Sequence, residues 1–328
     1  MFEQPTPLKA KMNGKQLGMQ RLMHLTSLST ALLLSTLAIA APIIVGQGES
    51  FEGNIDSRND PVVVNDRATV DGDIETRNAP ITISDNARVG DVGSRNGQIM
   101  VGQDVQAGEL SARNGSIELG SRSVAGSIDT RNGSIRVANS ASTGSIESRN
   151  GAISVATEVL VDGSIESRNG DVDIDSGTKV AGNVETRNAS VSLASGTSIA
   201  GNTETRNGNI SLDSSEVLQN IKTRYGSIRI LGRSEVGGDV TIEINNPSEN
   251  SSWMNWGSDF SDAGEILIES GSVVAGNIIV ILDEDFDAEP PKVTIQNGAR
   301  VLGSVQVDSR TDLTVAGEVN GQIERIDV

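Results

Sequence analysis

One tetrapeptide returns along this chain at a fixed step. It first reads Ser57-Arg58-Asn59-Asp60 and in most later copies Ser/Thr-Arg-Asn-Gly. Its arginine recurs at Arg77, Arg95, Arg113, Arg131, Arg149, Arg168, Arg187, Arg206 and Arg224, in steps of 18 or 19 residues. A period of that size demands a repeat architecture, in which each unit is too small to bury its own apolar side and stacks on its neighbours.

Aligning the copies on the arginine turns the sequence into columns. Three residues before it stands Ile55, Ile74, Val92, Leu110, Ile128, Ile146, Ile165, Val184 or Ile221, with Thr203 as the exception. The position four after it is always Val or Ile, and the position six after it always Val, Leu or Ile. Period-two alternation on both sides of Arg-Asn-Gly is the strand signal, with strands of roughly five residues. Stacked coils about 4.8 Å apart bury the Val/Ile/Leu columns in a continuous dry core. The same stacking lines up the asparagines as an amide ladder at a corner. The Gly or Ala after each asparagine is expected to turn the backbone with φ > 0. The competing reading makes each Asn-Gly a two-residue hairpin in an antiparallel meander, but a meander does not set like on like in every unit. The expected fold is all-β, a single-stranded parallel β-helix (β-solenoid) with 18–19-residue coils, right-handed by the rule for parallel crossovers. The 18-against-19 variation falls between the second strand and the next glycine, which reads as a loop.

The N-terminus is read separately. Residues 1–24 are polar and basic, and residues 25–41 are apolar around Leu32-Leu33-Leu34. Ala38-Ile39-Ala40 is a small-x-small motif, so residues 1–40 read as a secretory signal peptide cut between Ala40 and Ala41. The alternative is an uncleaved anchor extending to about Val45, for which the Ser, Thr and Pro42 content is unfavourable. Residues 41–50 are then a short lead-in. Residues 51–232 carry the Arg-Asn-Gly coils. Residues 233–328 continue the solenoid without the signature, interrupted by insertion loops at 245–264 and 283–291. The expected localisation is exported: periplasm, cell surface or extracellular, with no stable membrane span after cleavage.

Charge and composition narrow the function. The chain carries net charge −18. Residues 1–40 hold Lys9, Lys11, Lys15, Arg21 and Glu3, net +3, which leaves −21 on the remainder. Such a balance opposes general nucleic-acid binding. There is no cysteine, and the single histidine, His24, lies inside the signal segment. Histidine-based acyl transfer, zinc hydration and Ser-His-Asp or Cys-His catalysis are therefore excluded for a chain cut after Ala40. A polysaccharide lyase using Arg or Lys as base remains chemically open, although the coils are short. The Asp283-Glu284-Asp285-Phe286-Asp287 run offers oxygen ligands for Ca²⁺ but has Ala288 and Thr294 where an EF-hand needs Gly and Glu, so it reads as a solvated acidic loop.

Two candidate sites remain. The arginine column (Arg58, Arg77, Arg95, Arg113, Arg131, Arg149, Arg168, Arg187, Arg206, Arg224) is either a structural ladder or a polyanion-binding stripe. An acid stands two residues before the arginine in seven copies (Asp56, Glu75, Asp129, Glu147, Glu166, Glu185, Glu204) and is expected to offset the arginines; Gly93, Ser111 and Lys222 break that column. The second candidate is Trp253, Trp256 and Phe260 in the first insertion, as a partner contact or as a lid over the solenoid.

The turn units Val-Ala-Gly-Ser-Ile (124–128), Val-Ala-Gly-Asn-Val (180–184), Val-Ala-Gly-Asn-Ile (274–278) and Val-Leu-Gly-Ser-Val (301–305) resemble those of bactofilins, the polymer-forming bacterial cytoskeletal proteins. The Arg-Asn-Gly-Ser-Ile units also resemble adhesin-like solenoids of bacterial envelopes. The likeness covers residues 51–328 and implies a parallel β-helix without enzymatic activity or cofactor, with end-to-end self-association. The signal segment and the longer repeat array depart from bactofilins. The expected function is an exported, non-enzymatic scaffold, surface or polymer-forming protein of the cell envelope, with an envelope polysaccharide or surface partner. The alternatives are an adhesin-like module for glycan or polyanion and, less favoured, an enzyme on polysaccharide.

Overall fold

The computed structural model describes residues 41–244, 264–286 and 289–327. They are all-β and build a β-solenoid of parallel, in-register strands. The signal segment, Trp253, Trp256 and Phe260 lie outside the described residues.

Each coil has three sides. In the coil that starts at Ile74, the first side is Ile74–Thr76 and the corner is Arg77-Asn78-Ala79-Pro80. The second side is Ile81–Ile83, a turn passes through Asn86, and the third side bridges its neighbours at Arg88. On each side the outer two residues point inward and the middle one outward. Strands are mostly two or three residues long, shorter than the alternation alone suggested, because the corners take residues at both ends.

The chain forms two units, one up to Gly133 and one from Ser134. In the first, Ile43–Val45, Val62–Val64, Ile81–Ile83, Ile99–Val101 and Ile117–Leu119 line one side, each pairing in parallel with the next. Ile55–Ser57, Ile74–Thr76, Val92–Ser94, Leu110–Ala112 and Ile128–Thr130 line another. In the second unit the same two sides run from Ile135–Val137 to Asp312–Val315 and from Ile146–Ser148 to Ile323–Ile326. Its third side is a nine-stranded sheet from Ser142–Thr143 to Glu318–Val319. In both units the inward columns are sealed from water, with Ile74, Ile81, Ile99, Ile117, Ile146, Ile153 and Ile165 all at 0% exposure.

Three sequence expectations are corrected here. The segment between the second strand and the next glycine is the third side of the coil rather than a loop. It buries Ala68 with Val70, Ser123 with Ala125 and Thr178 with Val180. The lead-in at 41–50 is part of the first coil, since Ile43 and Val45 pair with Val62 and Val64.

The third correction concerns the corner glycines, which do not adopt positive φ. They are small because the coils stack so closely there. A Cβ on Gly115 would stand 1.9 Å from the Gly97 carbonyl oxygen, and one on Gly133 2.0 Å from that of Gly115. The left-handed residue of each coil sits instead at the turn between second and third sides: Arg67, Asn86, Asp104, Arg122, Ser140, Glu158, Gly177, Gly196. Gly177 isolates that backbone demand. A Cβ there would meet the Glu158 Cγ at 3.5 Å, an ordinary contact, while φ is +73°. Gly177→Ala should therefore lower stability by about 1 kcal/mol through backbone strain alone, read as a shift in the denaturant midpoint.

Candidate functional site

The repeated tetrapeptide makes the corner between first and second sides, and three of its four residues are used in building it. The Ser/Thr hydroxyl is buried and accepts a hydrogen bond from the backbone N–H three residues on, as at Gly97 N–H to Ser94 Oγ (2.8 Å) and Gly170 N–H to Ser167 Oγ (3.0 Å). The asparagines form the expected ladder. Each side-chain amide donates to the carbonyl oxygen of the asparagine one coil earlier: Asn96 to Asn78 at 2.7 Å, Asn114 to Asn96 at 2.6 Å, Asn169 to Asn150, Asn188 to Asn169 and Asn207 to Asn188 at 2.7 Å. The glycine permits the close stacking described above.

A second ladder, unforeseen from the sequence, holds the turn before the first side. There a side-chain oxygen accepts the backbone N–H of the equivalent residue in the next coil. Asp91 N–H bonds Asp73 Oδ1 at 3.0 Å, Glu109 N–H bonds Asp91 Oδ1 at 2.8 Å, and Asn202 N–H bonds Asn183 Oδ1 at 3.0 Å. The signal was present as an Asn/Asp/Ser run four residues before the arginine. It satisfies a backbone donor that the bend removes from the sheet.

The arginine is the fourth residue, and the corner makes no use of its side chain. From Arg58 to Arg206 every one is exposed, and Arg224 is half-buried. None of the ten guanidiniums takes part in an ion pair or side-chain hydrogen bond among the described residues. The acids two residues earlier project from the same side, so the arginine and acid columns form the two walls of a shallow groove floored by the Ser/Thr column. One stretch of about 430 Å³ is lined by Asp56, Glu75, Arg58, Arg77 and Arg95. Another of about 410 Å³ is lined by Glu147, Glu166, Glu185 and their arginines.

The expected offset of arginine by acid is therefore not seen as paired contacts. Glu147, Glu166 and Glu185 stack in register on one another. Burial, and then the carboxylates of Glu185 and Glu147, push the Glu166 pKa up. Like charges dominate its surroundings because strand stacking sets each acid closest to its own kind.

Where opposite charges do meet, the position is different. Arg122 forks onto Asp104 of the preceding coil, Nε to Oδ1 at 2.8 Å and Nη2 to Oδ2 at 2.6 Å, from the left-handed turn column. The described part of the acidic run, residues 283–286, is held by a cation of the chain itself. The Arg310 guanidinium donates to the carbonyl oxygens of Asp283 (2.9 Å), Phe286 (3.1 Å) and Glu284 (3.3 Å). Those are oxygens a Ca²⁺ ion would need. Among the described residues no group of three or more acidic or histidine side chains could hold a metal ion.

Chemically, the groove offers fixed guanidinium forks, which bind carboxylate or phosphate in pairs of parallel hydrogen bonds, beside a column of carboxylates. Comparison with protein-family models, with curated proteins and with solved structures finds no match.

Proposed function

We infer that this protein is an exported, non-enzymatic scaffold or polymer-forming component of a bacterial cell envelope. One observation carries the reading: apart from the arginine, the residues that repeat from coil to coil are consumed in joining coil to coil. Hydroxyl, amide and glycine of the tetrapeptide, the Asn/Asp/Ser column and the inward aliphatics all serve the stack. Repeats organised in this way give each unit a regular stack whose surface is a set of parallel charged columns.

Assembly is supported by the outermost strands. Asp312–Val315, Glu318–Val319 and Ile323–Ile326 stand last in their sheets, as Ile43–Val45, Ser50–Phe51 and Ile55–Ser57 stand first in theirs. Ile323 is 51% exposed and Val315 36%. Unpaired strand edges template further strands. A second copy's first coil has the same three-sided layout as the last one, so pairing of this kind extends the solenoid head to tail.

Export follows from the basic, apolar and small-residue order of the N-terminus. Mass spectrometry of the protein from its native host should find Ala41 as the first residue, and a full-length cytoplasmic chain would overturn export. A screen for depolymerised products on envelope polysaccharides should show no turnover, whereas any release of fragments would favour the enzymatic reading.

A further inference from the structure

The acid column that walls the groove is interrupted in the first unit, and the interruption is not forced by packing. Glu75, Gly93 and Ser111 are consecutive members of one outward column, paired coil to coil. Gly93 has no positive φ, and a Cβ built on it would meet Ser111 Oγ at 3.5 Å and Glu75 Cγ at 3.8 Å, both ordinary contacts. This sets it apart from the corner glycines Gly97 and Gly115, where a Cβ would enter the neighbouring coil, and from Gly177, where φ is positive. A carboxylate side chain could therefore stand at 93, as it does at 75.

The consequence is a change in the groove's electrostatics. Arg95 and Arg113 lose the carboxylate that flanks Arg77, Arg149, Arg168 and Arg187. Both are exposed and neither has an ion pair. Beside them runs the amide ladder of Asn78, Asn96 and Asn114. Each amide spends one N–H on the ladder, and a side-chain amide carries two. Across two coils the surface thus presents two parallel rows of donors with no carboxylate between the arginines. Glu118, on the following side of the coil, is half-buried and already engaged.

We propose that Arg77, Arg95 and Arg113 form a binding stripe for an acidic polysaccharide of the polyuronate class, centred on the Gly93–Ser111 gap. The guanidiniums repeat at the coil step, about 4.8 Å. That is close to the rise per sugar of an extended uronate chain, which carries one carboxylate per sugar. Guanidinium forks match carboxylates in geometry as well as charge. The sugar hydroxyls between them find the Asn amides. A chain of net charge −18 provides no broad positive field to gather nucleic acid, so recognition rests on short-range forks in register. The site goes beyond the scaffold reading and does not depend on it, because binding is measured on the isolated chain.

The test is titration of the chain beginning at Ala41 with an oligogalacturonate at low ionic strength, by calorimetry. Wild type should bind, more weakly as salt rises. Gly93→Glu with Ser111→Glu refills the acid column and should weaken binding by about tenfold or more, as should Arg95→Ala with Arg113→Ala. Arg168→Ala, in an acid-flanked coil, should leave binding unchanged. Unaltered thermal melting shows that the variants fold. If the refilled variant melts early, the arginine pair carries the test alone. No binding by wild type, equal binding by the refilled variant, or preferential binding of a phosphodiester polymer in competition would each overturn the proposal.

Discussion

Replacing Ile135 by Asp should collapse the coil it belongs to and cost several kcal/mol, on the order of the penalty for burying an unpaired charge. Ile135 is 1% exposed and pairs with Ile153, itself at 0%. No cation or polar group in that inward column can receive a carboxylate, since its members are Ile153, Val172, Val191 and Ile210. Contacts in a solenoid are between nearest neighbours, so the damage should fall off coil by coil. Hydrogen exchange should show protection lost first around residues 128–155 and retained near residues 265–307. A variant melting like the wild type would mean that the column does not face the core.

Removing the guanidinium of Arg310 should be the next most damaging change. Asp308 has a side chain only 1% exposed, held by Arg310 through Nε–Oδ1 at 2.8 Å and Nη2–Oδ2 at 2.9 Å. The same guanidinium ties down three carbonyls of the 283–286 turn and lies 5.8 Å from the Phe286 ring centre. Arg310→Ala leaves a buried carboxylate with the backbone N–H of residue 310 alone, together with unsatisfied carbonyls. Arg310 is itself one-third exposed, so the loss should be about 2–3 kcal/mol, below that of a fully buried broken pair. Replacing both residues by Leu should cost less than Arg310→Ala alone, which a double-mutant cycle would measure.

The pair also fixes a pH response. Hydrogen bonds from Arg310, outweighing burial, hold the Asp308 pKa below the ordinary carboxylate range. Its contribution is complete above the unfolded carboxyl pKa and is lost as pH falls through the depressed folded value. Glu166 responds with the opposite sign. Its raised pKa means that lowering pH through that value relieves repulsion in the acid column. Mild acidification should therefore first favour the Glu147–Glu185 coils, and stronger acid should loosen the 283–310 region, a sequence that hydrogen exchange against pH can resolve.

The parts of the fold visible in the sequence are those in which one residue type serves one column. The aliphatics at Ile117 and Leu119, or Ile153 and Val155, alternate cleanly because both neighbouring sides are paired strands. The asparagine ladder was visible for the same reason. The third side was hidden because its strands are two residues long and its buried positions mix Ala68, Ser123, Thr178 and Val159. Hydroxyls can stand there because they bond inward-facing carbonyls, Ser123 to Gly102 and Thr178 to Ala156, each at 2.8 Å. Such a column does not read as apolar. The corner glycine's role is not legible locally because its constraint comes from the coil below, 18 or 19 residues away, and not from local turn geometry. The Arg310 latch joins residues 24 to 27 apart with no repeat to announce it.

At the candidate site the arginine and acid columns were legible, but their relation was not. Sequence places opposite charges two residues apart and suggests cancellation. Stacking instead sets Glu147, Glu166 and Glu185 nearest one another and leaves the arginines unpaired, because the coil-to-coil step is shorter than the separation across the groove.

We propose that coil-to-coil pairing is also the means by which copies join. Negative-stain electron microscopy of the chain beginning at Ala41, at low and high salt and with light scattering on the same samples, tests it directly. Screening weakens repulsion between bodies of like charge, so the particles should lengthen with salt at constant width, in increments of one chain. Strictly monomeric particles in both conditions, or particles that widen instead of lengthening, would contradict it.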